Sequence, residues 1–125
     1  MAAKETKTTW EQISDALRLH NIEVYPPAIK IGECKDEYVV VKADGSAQIG
    51  SLSSESHYYT FMMYTPKNRY TDLERFKQIV KDIVATDLYP MLMPTGQETP
   101  DFYDDTVKAH MTSVTYRNSV RNSQL

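Results

Sequence analysis

The run His57-Tyr-Tyr-Thr-Phe-Met-Met-Tyr-Thr65, closed by Pro66, constrains this chain more than any other segment. Its β-branched and aromatic residues favour a strand. Strand alternation then sends Tyr58, Thr60, Met62 and Tyr64 to one side and Tyr59, Phe61 and Met63 to the other. Both sides are largely apolar. One can lie against helices, and the other needs a cover from a partner subunit or the N-terminal helix. A second run, Glu37-Tyr-Val-Val-Val-Lys-Ala43, precedes it and ends at the turn signal Asp44-Gly45. The two read as paired antiparallel strands. Their connection, Asp44 to Ser56, is Gly/Ser-rich and longer than a tight turn, yet it carries Ile49 and Leu52. It is either a flexible surface loop or a protruding hairpin whose apolar residues meet a neighbouring subunit.

Helical periodicity occurs twice. Thr8 with Glu11, and Thr9 with Gln12, both fit a capping box, in which a hydroxyl and a carboxyl or amide satisfy orphan backbone N–H groups. Trp10, Ile13, Leu17 and His20 then recur at helical spacing, with Asn21 as a left-handed C-cap, which predicts a helix from about Thr9 to His20. Ile22, Val24, Pro26 and Pro27 force an extended path. Thr71 with Glu74 forms another capping box, opening a helix to about Thr86 whose stripe is Leu73, Phe76, Ile79, Val80, Ile83 and Val84.

Pro90 and Pro94 end any helical continuation, and the stretch from Met91 to Pro100 reads as a proline- and glycine-punctuated turn. It delivers an acidic aromatic patch, Asp101 to Asp105, into a last strand from about Thr106 to Arg117. Alternation there sets Val107, Ala109 and Met111 against Lys108, His110 and Thr112. The order of elements predicts an α+β fold: a small, mostly antiparallel sheet packed against two main helices, in a single domain over residues 1–125. Residues 1–8 and 119–125 have the composition of flexible tails.

At 125 residues, with 41% hydrophobic and 25% charged residues, one core is expected. Such a chain buries roughly 65 to 70% of its unfolded surface, so oligomerisation would add useful burial. A net charge of −3 argues against a nucleic-acid backbone as the main partner, despite Lys108, Arg117 and Arg121 gathering near the C-terminus. The single Cys34 marks no oxidising compartment. No apolar run approaches the ~20 residues of a membrane span, and the first residues lack a signal-peptide core. The expected location is therefore the cytoplasm of the cell that makes the chain.

Little points to chemistry. His20, His57 and His110 fall on three elements without zinc-type spacing, and Cys34 has no nucleophile motif around it. Asp101, Asp104 and Asp105 lack the glycine and distal glutamate of a calcium loop, and no Gly-Lys-Ser/Thr sequence supports nucleotide binding. No catalytic, metal-ligating or cofactor-binding residue is assigned. Tyrosine is the anomaly. There are nine, mostly on the strands and beside them, and one apolar face with one hydroxyl suits surfaces that become buried on association.

Several segments, in order, carry a resemblance: Glu37-Tyr-Val-Val-Val-Lys-Ala-Asp-Gly45, Tyr64-Thr-Pro-Lys67, Tyr70-Thr-Asp-Leu-Glu74, Pro94-Thr-Gly-Gln-Glu-Thr-Pro100, Asp104-Asp-Thr-Val-Lys-Ala-His-Met111 and Tyr116-Arg-Asn118. From about Glu37 to Asn118 the chain resembles the tail-completion, or tail-terminator, proteins of long-tailed phages and phage-tail-like particles of Gram-positive hosts. The resemblance implies a non-enzymatic structural protein that forms a ring, typically six-fold, on the head-proximal end of the tail tube and joins it to the neck. It implies other copies of the chain, the tail tube protein, the neck or connector protein and, in a contractile tail, the sheath protein as partners. No cofactor, membrane or specific nucleic acid is implied, and the place is a virion or tail-like particle assembled in the host bacterial cytoplasm. The surface expected to meet a neighbouring subunit or the tube comprises Gln48, Ile49, Leu52, Tyr58, Tyr103 and Arg117. Another head–tail connector, an adaptor or a stopper, is the alternative among assembly proteins; a monomeric ligand- or peptide-binding α+β module is the alternative outside them.

Overall fold

The computed structural model describes residues 7–29, 32–48 and 54–121. In chain order these form α1 (Thr9–Leu19), β1 (Val24–Tyr25), β2 (Tyr38–Gln48), β3 (Ser54–Pro66), α2 (Thr71–Ile83), a π-helical turn (Val84–Leu88), β4 (Met93–Glu98), β5 (Phe102–Asp104) and β6 (Ala109–Arg121). The strands build one six-stranded sheet in the order β1-β2-β3-β6-β4, with β5 also on β6. β1 runs parallel to β2 and every other pairing is antiparallel. The fold is α+β, as the order of elements predicts.

Of the two possible boxes at the start of α1, the chain uses Thr8. Its hydroxyl accepts from Glu11 N at 3.1 Å while Glu11 Oε1 accepts from Thr8 N at 2.8 Å. Thr8 therefore belongs to the helix cap and not to a tail. Asn21, at φ 64°, turns the chain out of the helix and into β1.

The capping box expected at Thr71 does not form. The turn at Arg69, whose amide donates to the Pro66 carbonyl at 2.8 Å, leads into the helix with Tyr70 already helical. The carbonyls of Arg69 and Tyr70 take the amides of Asp72 and Leu73 at 3.1 and 3.0 Å, so no extended residue is left for a hydroxyl to cap. α2 also ends at Ile83, short of Thr86, where the backbone widens into the π-helical turn. Leu73, Phe76, Val80 and Ile83 form the buried seam, and Ile79, one position off it, is 43% exposed.

Both helices pack on one side of the sheet. There Ile13, Leu17, Phe76, Val80, Ile83 and Val84 meet Val39, Val41, Phe61, Met63, Val114 and Tyr116. The N-terminal helix is thus not the cover for the second face. That face has its own small cluster, Cys34, Tyr38, Val40 and Ala109, with Tyr25, Met62, Tyr64 and Val107 packed against it. The cover is the segment around Cys34, whose amide donates to the Val107 carbonyl at 2.7 Å.

Four expectations change at the strands. Asp44-Gly45 is a β-bulge inside β2, between Ala43 and Ser46, because the chain continues as strand and re-pairs with β3. The stretch taken as a turn from Met91 to Pro100 contains β4, an edge strand that tolerates Pro94 and breaks register around Gly96, φ 86°. The last strand begins at Ala109, not Thr106, since Lys108 at φ 53° closes a turn before it. It also continues past Asn118 to Arg121, so residues 119–121 are strand where tail was expected. Thr112, opposite Ala109 and Met111 as alternation sets it, is fully buried and donates to the Thr99 carbonyl at 2.9 Å.

Candidate assembly surface

The apolar core stops short of the strand ends. Its last residues are Val41 on β2, Tyr59 on β3 and Tyr116 on β6, yet β2 runs on to Gln48, β3 begins at Ser54 and β6 continues to Arg121. At about 3.3 Å per residue, the stretch Ser54–Tyr58 alone carries the sheet about 16 Å past the core. A three-stranded ribbon therefore projects beyond the helices. The reading of Asp44–Ser56 as a hairpin extension agrees with its backbone: Ser46, Ala47 and Gln48 pair with His57, Ser56 and Glu55. Ile49 and Leu52 lie outside the described residues.

Of the expected interface residues, the fold groups three. Tyr58 stands directly across from Arg117 on the face away from the helices, both half-buried, and Gln48 ends β2 on the same ribbon, paired with Glu55. The Arg117 guanidinium reaches Met93 Sδ at 3.9 Å and, among the described residues, meets no carboxylate. Tyr103 is elsewhere. It sits on β5 opposite His110, seven residues before Arg117 on β6 and therefore about 23 Å away along the strand.

Around Tyr103 the structure assembles a cluster that sequence reasoning did not single out. His110 lies between the rings of Tyr70 and Tyr103, at centroid distances of 4.8 and 5.2 Å. Its Nε2 is 3.0 Å from the Lys67 carbonyl, which makes that nitrogen the donor, and the Tyr70 hydroxyl donates to Asp101 Oδ2 at 3.1 Å. The four groups come from α2, β5, β6 and the turns beside them, so no local spacing announces them. They tie the start of α2 to the β5 side of the sheet.

Other polar groups make structural contacts. His20 Nε2 contacts Asp87 Oδ2 at 3.0 Å, linking α1 to the π-helical turn. Asp104 accepts from the Thr106 amide at 3.0 Å, and Asp105 pairs with Lys108 at 3.4 Å, so the acidic run is divided among separate contacts. Among the described residues no three His, Cys, Asp or Glu side chains gather in a way that could hold a metal ion. Tyr38 is buried, stacked on Tyr64 at 4.8 Å and edge-on to Tyr25 at 5.6 Å. Burial raises the hydroxyl pKa of both Tyr38 and Tyr64.

An open cavity of about 390 Å³ lies between the end of α2 and β4, lined by Val84, Ala85, Tyr89, Leu92, Pro94 and Tyr116, with Lys81 and Asp82 also at its wall. Its floor is apolar. Lys81 is already bonded to Glu98 Oε2 at 2.7 Å, which leaves it less available to a ligand.

Fold and surface together define a small single-domain α+β protein with a sheet ribbon extending past its own core. The chain matches no protein-family model and no curated protein.

Proposed function

We propose that the protein is a structural subunit of a ring that caps the head-proximal end of a phage tail, or of a phage-tail-like particle, and joins the tube to the neck, without catalysis or cofactor. The observation that carries this reading is the projecting ribbon, with Tyr58 and Arg117 side by side on it and, among the described residues, no carboxylate on the guanidinium. Sheet that runs past the apolar core adds little burial of apolar surface to a monomer, and exposed strand edges invite aggregation unless a partner covers them. A ring covers every such edge by symmetry. The resemblance over Glu37 to Asn118 names the assembly, with further copies of the chain, six in the expected ring, the tail tube protein, the neck protein and, in contractile tails, the sheath protein as partners. A net charge of −3 suits a passage through which DNA moves without sticking.

Mass measurement over a range of concentrations, followed by electron microscopy of the protein mixed with its tail tubes, tests the proposal. Closed rings seated on one tube end are expected. A monomer mass at every concentration, with no binding to tubes, would overturn it; rings that bind the neck but not the tube would favour an adaptor or stopper. The cavity beside Tyr89 supports a second reading, a monomeric ligand-binding module. Saturable small-molecule stabilisation of a monomer, lost on Ala85→Trp, would favour that reading.

A further inference from the structure

We propose that copies of the chain join edge to edge, the Ser46–Gln48 segment of β2 in one copy pairing in parallel with the β6 segment of Asn118 to Arg121 in the next. This rests on the self-assembly reading above and specifies its contact.

Backbone hydrogen bonding shows which groups face outward. Val39 N–H donates away from β3, to the Glu23 carbonyl at 2.9 Å, and the Val41 carbonyl likewise faces away, accepting from Trp10 Nε1 at 2.8 Å. Antiparallel alternation continues this along odd positions to Ala43. The bulge then inserts one residue, so from Ser46 onward the even positions face out, and the amides and carbonyls of Ser46 and Gln48 point away from the sheet. On β6 the amide of Ser113 donates to Thr99 Oγ1 at 3.0 Å and the Thr115 carbonyl accepts from Thr95 Oγ1 at 2.8 Å, so odd positions face β4. β4 pairs no further along β6 than Arg117. The outward groups of Ser119 and Arg121 therefore have no strand beside them among the described residues.

Three features select a second copy as the occupant. First, the two open segments lie level with each other across the ribbon: Ser46 is joined through His57 to Asn118, Ala47 through Ser56 to Ser119, and Gln48 through Glu55 to Val120. Rotation without translation, the operation that closes a ring, joins edges only at equal height. Second, β2 and β6 are both antiparallel to β3 and so run the same way, the arrangement a ring axis along the strands requires. Third, the outer edges elsewhere are blunted, β1 by its two-residue length and the following Pro26-Pro27, β4 by Pro94 and its register break at Gly96.

Gln48→Pro and Ser119→Pro each delete one outward amide while leaving the ladder to β3 intact. Each is expected to raise the concentration needed for assembly at least about tenfold, with unchanged circular dichroism. A cross-linking arm does not depend on tolerance of proline. Neighbouring strands are about 4.8 Å apart, within the Cα range of a disulfide. Gln48→Cys combined with Val120→Cys, the position level with Gln48 across the ribbon, is thus expected to oxidise into a ladder of covalent multimers ending at the ring size, while either single variant and the wild type, which retains buried Cys34, do not. Rings that form unchanged in both proline variants, with no ladder from the double cysteine variant, would overturn the edge contact and leave the ring itself standing. Dimers from Gln48→Cys alone would show a two-fold pairing in its place. A wild type that stays monomeric at all concentrations would overturn the contact and the ring together.

Discussion

Trp10 in the first turn of α1 donates its indole N–H to the Val41 carbonyl at 2.8 Å, and in doing so covers the edge of β2 at the last position where the core still lies beneath it. The contact fixes where the sheet stops being domain and starts being ribbon. Trp10→Phe keeps an aromatic ring against the core but leaves the carbonyl without its donor. A loss of about 1 to 2 kcal/mol in chemical denaturation is expected, with an unchanged far-ultraviolet spectrum. No loss would mean that water replaces the indole freely.

Phe76 and Ile79 separate the buried seam of α2 from its edge. Phe76 is 2% exposed within the core, so Phe76→Ala is expected to cost about 3 to 5 kcal/mol, a large part of the stability of a domain this size. Ile79, well outside the seam, should cost under about 1 kcal/mol when cut to alanine. Urea midpoints of the two variants check the pair. Equal losses would mean that Ile79 is covered in the assembled protein.

Tyr116 packs edge-on against Phe61 at 5.1 Å, and burial, helped by the Glu98 and Asp82 carboxylates, pushes its hydroxyl up to about 12. The unfolded chain releases that proton near pH 10. The folded state holds it longer, so the associated stability is complete below pH 10 and is lost as pH rises through 12, on the order of 2 kcal/mol. Thermal melts between pH 9 and pH 12 should show this decline flattened in part by Tyr116→Phe, with Tyr38 and Tyr64 supplying the remainder.

Glu98 on β4 receives Lys77 at 2.6 Å and Lys81 at 2.7 Å, and these hydrogen bonds hold its carboxyl below the ordinary range. A depressed carboxyl contributes stability above its unfolded pKa and loses it as pH falls through the folded value. The groups are about a third exposed, so Glu98→Gln is expected to cost under about 1 kcal/mol at neutral pH and low salt, shrinking further in about 0.5 M salt. A cost independent of both salt and acid would show that the side chain acts by packing.

Arg117, facing Tyr58 on the ribbon, bears on assembly more than on folding. Arg117→Glu should leave the melting temperature within about 2 °C of wild type, since among the described residues no carboxylate pairs with the guanidinium. It should weaken self-association at least about tenfold if that surface meets a neighbour. Sedimentation at several concentrations, beside the melt, reads both.

Much of the domain is written locally. Thr8 with Glu11, the seam of Leu73, Phe76, Val80 and Ile83, and the two-sided apolar run of Tyr58 to Tyr64 each act through neighbours a few residues away, so their spacing alone identifies two helices and a doubly covered strand. The strands β1, β4 and β5 have no such signature. They are short or carry proline and glycine, and they become strands only because β2 or β6 offers free backbone groups alongside. The same reason explains Asp44-Gly45: two residues that would close a hairpin in isolation form a bulge when the partner strand continues past them. The grouping of Tyr58 with Arg117, the separation of Tyr103 from both, and the level placement of the two open edges are likewise decided by register between distant strands, because hydrogen-bond pairing across a sheet depends on which segments meet and leaves no periodic trace in any one of them.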